Sequence, residues 1–355
     1  MTLARLVLAL AAATALSGCA AAVLAPVAAG GAIGMTTRSG RNHSAERAET
    51  KSATPPALVR GPGVPPPGGL FATPVPPGMQ YLYGSGEAEA QDLQTYIAMA
   101  DFLIAKSSDK AVGHPVNSVV LAPGATLQAP KFEPCGDKPL AVVLDIDETS
   151  VLNLGFEGDQ MLNGGKYDQQ RWDAWEKNDQ GKVVPVPGVL DMVAVARKSG
   201  ITVIFNSNRL AANADATAVM MAQAGFGALK HLDTLWLEGD AGSSGSAKDA
   251  RRWAISQRYC VVAMAGDQLG DFSDLFNAGM ALRERRASVN SRDLQIMWGH
   301  GWFILPNPVY GSGVKGDFQQ VFPRDTRWSP PAAVPAPVPI APLPTPPAPA
   351  TGSSK

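Results

Sequence analysis

Four short apolar runs alternate with helical patterns through the middle of the chain, and this alternation constrains the fold more than any other feature. The runs are AVVLDID from Ala141, ITVIFNSN from Ile201, TLWL from Thr234 and CVVAMAGD from Cys260. Helical patterns fill the gaps from Val189 to Lys198, Ala211 to Ala224 and Ala247 to Gln257. Runs that are apolar on both faces suit strands buried on both sides, and parallel neighbours need a long crossover that a helix supplies. The expected fold class is therefore α/β, a Rossmann-like parallel sheet with helices on both faces. GWFILPNP from Gly301 offers a fifth strand. Upstream, Leu93, Tyr96, Ile97, Ala100, Leu103 and Ile104 recur at helical spacing behind a capping Ser85, which predicts an amphipathic packing helix. The polar, Gly-rich and aromatic stretch between the first strand and its crossover helix is too long for a simple connection. It reads as a small inserted cap over about 153–187.

Composition matters at the two ends, where most of the 30 Pro concentrate. Residues 1–18 carry one cation, Arg5, an apolar run from Leu6 to Leu16 and small residues before Cys19, the pattern of an export signal. Leu16-Ser17-Gly18-Cys19 resembles the bacterial lipobox, which implies cleavage before Cys19 and lipid on that residue; an ordinary cleaved signal with a soluble product is the alternative. By the same resemblance, Ala20 implies sorting to the outer membrane of the cell envelope. Residues 19–78 form a Pro/Gly/Ala-rich tether, 79–328 a domain-sized body, and 329–355 a Pro-rich tail without the means to pack a core. That tail is either a solvated segment or a ligand for a partner. Lys and Arg number 30 against 31 Asp and Glu, so no polybasic body exists to hold a nucleic-acid polymer. Cys135 and Cys260 each precede an apolar run; an exported chain permits a disulfide between them, with two buried thiols as the alternative.

Three of the strands end in polar residues: Asp145-Ile146-Asp147-Glu148-Thr149, Asn206-Ser207-Asn208-Arg209, and Gly266-Asp267 followed by Asp271. Open α/β sheets bind ligands at the carboxyl ends of their strands. Asp145 and Asp147 face one site if the strand stays regular that far. Clustered carboxylates repel one another unless a cation intervenes, and hard oxygen ligands without His or Cys favour Mg²⁺. One carboxylate of such a pair can attack phosphorus while the other protonates the departing alkoxide and later deprotonates water. Ser207 can donate to a phosphoryl oxygen, and Lys248, in Ser246-Ala247-Lys248, can neutralise charge there, unless it is merely a solvated helix residue.

In order along the chain, DIDET, SNR, SAK and GDQLGDF resemble the four motifs of the haloacid dehalogenase superfamily. With the lipobox and ILPNPVYGSG from Ile304, the chain from Met79 to Gly313 is similar to the class C bacterial acid phosphatases of the lipoprotein e type. That resemblance implies Asp145 as nucleophile and Asp147 as general acid/base. It places Mg²⁺ on Asp145, Asp267 and the backbone carbonyl of Asp147, with Asp271 in support. Ser207 and Lys248 would hold the phosphoryl group, with Asn208 and Arg209 beside them. Tyr167, Trp172, Trp175 and Tyr310 would stack on the leaving group, although Trp172 and Trp175 are also spaced for plain cap packing. Glu148 and Thr149 are expected to shape the turn. The implied activity is hydrolysis of small phosphomonoesters, nucleoside 5′-monophosphates or aryl phosphates, by a 5′-nucleotidase-like acid phosphatase, and the implied assembly is a homodimer.

Two departures from the family pattern, Asn153-Leu154 and Gly313, place specificity rather than catalysis in question. His43, His114, His231 and His300 are isolated and lack zinc spacing. A non-catalytic phosphate-binding envelope lipoprotein and another hydrolase or mutase on the same scaffold are the competing functions.

Overall fold

The structure is a computed structural model that describes residues 74–179 and 181–330. The export signal, Cys19, most of the tether and nearly all of the Pro-rich tail lie outside the described residues. Helices α1 (Pro77–Gly84) and α2 (Gly86–Ala111) precede the sheet. Strand β1 (Leu140–Leu144) is followed by the short pair β2 (Val151–Leu152) and β3 (Val184–Pro185), which enclose α3 (Leu154–Leu162) and α4 (Gln169–Lys177). The chain continues through α5 (Val189–Lys198), β4 (Thr202–Leu210), α6 (Ala214–Met221), β5 (Leu235–Glu238), α7 (Asp249–Arg258) and β6 (Cys260–Gly266). Helix α8 (Leu282–Val289), strand β7 (Trp302–Ile304) and helix α9 (Phe318–Val321) complete it. No helix among the described residues is long and apolar enough to cross a membrane.

The main sheet has the order β5-β4-β1-β6-β7, and every pairing in it is parallel. All four apolar runs and the fifth, GWFILPNP, contribute strands. The architecture follows from the continuous burial of β1 and β6, since each residue of both is buried and both sheet faces need cover. One core joins α2, α5 and α6 to Val142 and Leu144. The other places Ile255 of α7, Phe272, Phe276 and Trp302 against Ala141 and Val143.

Ser85 caps α2 as expected, its side chain accepting from the backbone N–H of Ala88. The buried stripe of that helix differs from the expected one: Ala88, Asp92, Tyr96, Met99 and Leu103 face inward, whereas Leu93, Ile97 and Ile104 are exposed. Two apolar stripes run side by side on this helix, and periodicity alone does not say which one meets the sheet.

Cys135 and Cys260 are joined by a disulfide. It fastens the amino-terminal end of β6 to the segment before β1 across a separation of 125 residues, which by loop-closure entropy contributes about 5 kcal/mol. The carboxyl ends of the same two adjacent strands are thereby held side by side.

Candidate active site

Strands β1 and β6 pair in parallel from Leu140↔Cys260 to Leu144↔Ala265, and the N–H of Asp145 prolongs the ladder to the carbonyl of Ala265. Asp145 and Asp267 therefore leave neighbouring strands at one end of the sheet. Asp145 keeps the alternation of Ala141 and Val143, whose face is covered by α7, and the side chain of Lys248 reaches it from the start of that helix. Asp274 fixes this start by accepting from the backbone N–H groups of Lys248 and Asp249, each at 2.8 Å. Lys248 is no solvated residue: its side chain is 3% exposed, with Nζ 2.7 Å from Asp145 Oδ1 and 2.6 Å from Asp271 Oδ1.

Asp271 folds back toward the strand from a short 3₁₀ turn, and its Oδ2 accepts from the N–H of Gln268. Gly266 makes this possible, because a Cβ there would collide with the Asp271 side chain. Asp267 is oriented by three donors, Thr149 Oγ1 at 3.1 Å, Gln268 Nε2 at 2.9 Å and Asn307 Nδ2 at 2.8 Å. Carboxylate oxygens of Asp145, Asp267 and Asp271 lie within 4.8 Å of one another. Burial pushes Asp145 well above the usual carboxylate range despite the ammonium of Lys248, and burial followed by the charge of Asp271 pushes Asp267 up to about 7. Three crowded carboxylates against one ammonium fit a hard divalent cation, which would relieve both the burial cost and the mutual repulsion.

Beyond Leu144 the strand is not regular far enough to carry Asp147. Glu148 takes φ +51°, a left-handed conformation uncommon for a non-glycine residue, and the chain turns back so that Asp147 bridges to Val151. The turn, rather than strand alternation, brings Asp147 to the cavity. Its carboxylate accepts from Arg209 Nε and Nη2 at 3.0 and 2.7 Å, from Asn153 Nδ2 at 2.9 Å and from Ser207 Oγ at 3.4 Å. Glu148 is buried beneath and accepts from Asn153, Tyr83 and the hydroxyl of Tyr310. Burial, then the charge of Asp147, raises its carboxyl to about 7. Glu148 and Thr149 thus do more than shape the turn: one joins Tyr310 to the acidic loop and the other holds Asp267.

A cavity of about 1180 Å³ opens over this end of the sheet. Asp145, Asp147, Asp267, Asp271, Lys248 and Asn208 line its floor, and Tyr167, Trp172 and Tyr310 its sides. Three expected contact residues do not reach it. Arg209, expected beside the substrate, is fully buried; its guanidinium grips Asp147 and lies 5.5 Å from the Trp172 ring. Ser207 is likewise buried, its hydroxyl turned to Asp147 and accepting from the N–H of Arg209. Trp175 packs at 6.2 Å from Phe156 and donates its indole N–H to Asn153 Oδ1, so it braces the cap rather than the substrate. The cap is further pinned by Glu176, which accepts from Leu210 N–H and Asn213 Nδ2.

Asn153, expected to bear on specificity, contacts Asp147, Glu148, Arg209 and Trp175. Gly313 is exposed, and a side chain there would meet open space. Arg251, unremarked in the sequence, is buried and binds the Ser207 carbonyl and Asn208 Oδ1, fixing the end of β4. Its only signal was an Arg in the first turn of an otherwise ordinary amphipathic helix. His231 has an acidic partner, its Nε2 lying 2.9 Å from Asp240 Oδ2.

The model of the HAD superfamily, subfamily IIIB (acid phosphatase), matches residues 88–313, which is more than half of the chain and spans the acidic cluster, Lys248 and the cap. The chain belongs to that family. It is similar to the class C acid phosphatase of Bacillus anthracis, with 25% identity over 66% of this chain and 84% of that one and a TM-score of 0.52. A structure of the class C acid phosphatase from the same organism with tungstate bound matches at 23% identity over 71% and 95% of the two chains, also with a TM-score of 0.52. As a HAD acid phosphatase the protein hydrolyses phosphomonoesters, which displaces the other-hydrolase, mutase and non-catalytic readings. The superfamily generally uses a divalent metal, and the Asp145-Asp267-Asp271 cluster supplies the donors for one.

Proposed function

We propose that this chain is a Mg²⁺-dependent acid phosphatase, lipid-anchored through Cys19 in the bacterial envelope, and that it hydrolyses nucleoside 5′-monophosphates or aryl phosphates through an aspartyl phosphate. The observation that carries the reading is the convergence of Asp145, Asp267 and Asp271 on the cavity floor, with the ammonium of Lys248 between Asp145 and Asp271. Carboxylates of Asp145 and Asp267, supported by Asp271 and the carbonyl of Asp147, would hold the cation. Bound there, Mg²⁺ neutralises phosphoryl oxygens and makes phosphorus a better electrophile.

A carboxylate oxygen of Asp145 attacks phosphorus as the ester P–O bond breaks, and the leaving oxygen takes a proton from the carboxyl of Asp147. Asp147 then takes a proton from water, whose oxygen attacks the acyl phosphate; inorganic phosphate leaves and Asp145 is regenerated. Arg209 and Asn153 keep Asp147 in place through both steps, and Lys248 holds negative charge next to the attacked phosphorus. Stacking on Trp172, Tyr167 and Tyr310, which line the cavity, favours flat leaving groups.

A phosphate-release screen over nucleoside and aryl monophosphates, with and without EDTA, tests the reaction and the metal together. Release from both substrate classes that is abolished by EDTA and restored by Mg²⁺ is expected; undiminished release in EDTA sinks the metal part. Anchoring rests on the lipobox and outer-membrane sorting on Ala20. Cys19→Ala is expected to move the protein from membrane to soluble fractions of the producing bacterium. The homodimer rests on the resemblance, and light scattering of the acyl-free protein checks it.

A further inference from the structure

The cavity is larger than a mononucleotide needs, since pockets for drug-sized ligands occupy roughly 300–1,000 Å³. Its volume of about 1180 Å³ continues from the acidic floor along a second wall that includes Met280, Leu282, Arg285, Ser312 and Lys315. The two ends differ in charge. Carboxylates dominate the floor, whereas the far wall carries the cations Arg285 and Lys315.

Arg285 is held in place without being neutralised. Its Nε donates to the carbonyl of Phe276 at 3.0 Å and its Nη2 to Ser312 Oγ at 2.7 Å. Among the described residues, neither Arg285 nor Lys315 has a carboxylate within ion-pair distance. Arg285 is half-buried, and burial lowers its readiness to carry a proton. A cation that gives up solvent at a cavity wall and faces no fixed anion is suited to a mobile one.

The separation from the reacting end is set by a line of hydrogen bonds. Ser312 Oγ lies 3.5 Å from Gln268 Oε1, and Gln268 Nε2 donates to Asp267 Oδ2 at 2.9 Å. Three hydrogen bonds and one amide group therefore separate the guanidinium from a carboxylate of the acidic cluster, a path on the order of 11 Å at most. That is within the reach of a phosphorylated nucleoside whose sugar bears two phosphates.

We propose that Arg285, positioned by Ser312 and assisted by Lys315, forms a subsite for a second phosphate on the leaving group, so that the preferred substrates are phosphomonoesters of already phosphorylated nucleosides or sugars. The planar guanidinium fork matches phosphate oxygens, and the apolar Met280 and Leu282 lie along the same wall. The proposal rests on the phosphatase reading, because the first phosphate must sit over Asp145.

The test compares adenosine 3′,5′-bisphosphate with adenosine 5′-monophosphate as substrates of the full chain in Mg²⁺. Wild type is expected to prefer the bisphosphate by about tenfold in kcat/KM for release of the 5′-phosphate, the size of one charge-assisted contact. Arg285→Gln lowers that ratio to near one, Arg285→Lys restores part of it, and Lys315→Glu lowers it without touching the Arg285 bonds to Phe276 and Ser312. The same ratio is read as dissociation constants on Asp145→Asn protein, which needs no turnover. A wild-type ratio of one in both measurements, or a ratio indifferent to Arg285→Gln and Lys315→Glu, overturns the subsite while hydrolysis of the monophosphate keeps the phosphatase reading intact. Absence of hydrolysis of either substrate, with the binding ratio preserved, overturns the phosphatase reading and leaves the subsite standing.

Discussion

On the sheet side of the cavity, Asp267, Asp271 and Lys248 are buried and Asp145 is partly so, and all four are held by ion pairs and hydrogen bonds from strand ends and a helix start. On the cap side, Tyr167 is 60% exposed, α4 is fastened to the body through Glu176 and Asp173, and Trp175 ties α4 to Asn153 at the start of α3. Both sides line one space, yet they answer to different demands. Reacting charges must be fixed before the substrate arrives, since preorganisation lowers the barrier, whereas a leaving-group platform needs only a flat apolar face. On the proposed function, substitutions on the sheet side are expected to act on turnover and those on the cap side on which substrates are taken up.

Four experiments break or sharpen that contrast. The largest effect belongs to Asp145→Asn, which is expected to lower kcat by about 10⁴-fold or more while the circular dichroism spectrum is retained. Retained turnover would place the reacting group elsewhere. Next, Lys248→Met removes the only ammonium between two buried carboxylates. It is expected to cost about 10²–10³-fold in kcat, and about 3–5 kcal/mol of stability in EDTA, where nothing replaces the lost charge, as read by urea titration.

Smaller is the effect of Trp172→Ala, which is expected to raise KM for nucleoside monophosphates by about tenfold through a lost stack, with kcat changed less. Trp175→Ala, by contrast, removes a brace that does not line the cavity, so its effect appears as faster proteolysis of residues 154–177; equal KM effects from both substitutions would dissolve the distinction between them. The smallest effect isolates the body from the cap. Burial, then the charge of Glu89, raises the carboxyl of Asp92 in α2 to about 7. Because the folded state holds this proton more tightly than the unfolded chain, its contribution to stability is full below about pH 4 and is lost as pH rises through 7. Asp92→Asn is expected to flatten that slope and to raise Tm by a few degrees at pH 7.5, with KM unchanged.

Legibility in the sequence followed burial. The five strands were readable because a strand covered on both faces must be apolar throughout, and their order along the chain carried the acidic residues to one end. The cap aromatics were readable as a group but not individually. Trp172 and Trp175 have the same helical spacing to their neighbours, and only packing turned one toward the cavity and the other toward Asn153. Arg209 and Ser207 belong to a recognisable motif, yet an Arg between a carboxylate and an aromatic ring is drawn inward by both. The contacts made by Glu148, Asn153, Arg251 and Asn307 were not legible, because each matters through a partner that the linear chain does not identify.

By itself the sequence determined the α/β class, the identity of the carboxylates and the end of the sheet where they gather, since local hydrophobicity and strand direction suffice for these. Only the tertiary structure decided that a left-handed turn at Glu148 delivers Asp147, that Arg209 is buried against Asp147, and that the cavity runs on to Arg285, which has no ion pair among the described residues. Those outcomes depend on which side chains compete for the same buried charge, and that competition exists only once distant segments have been brought together.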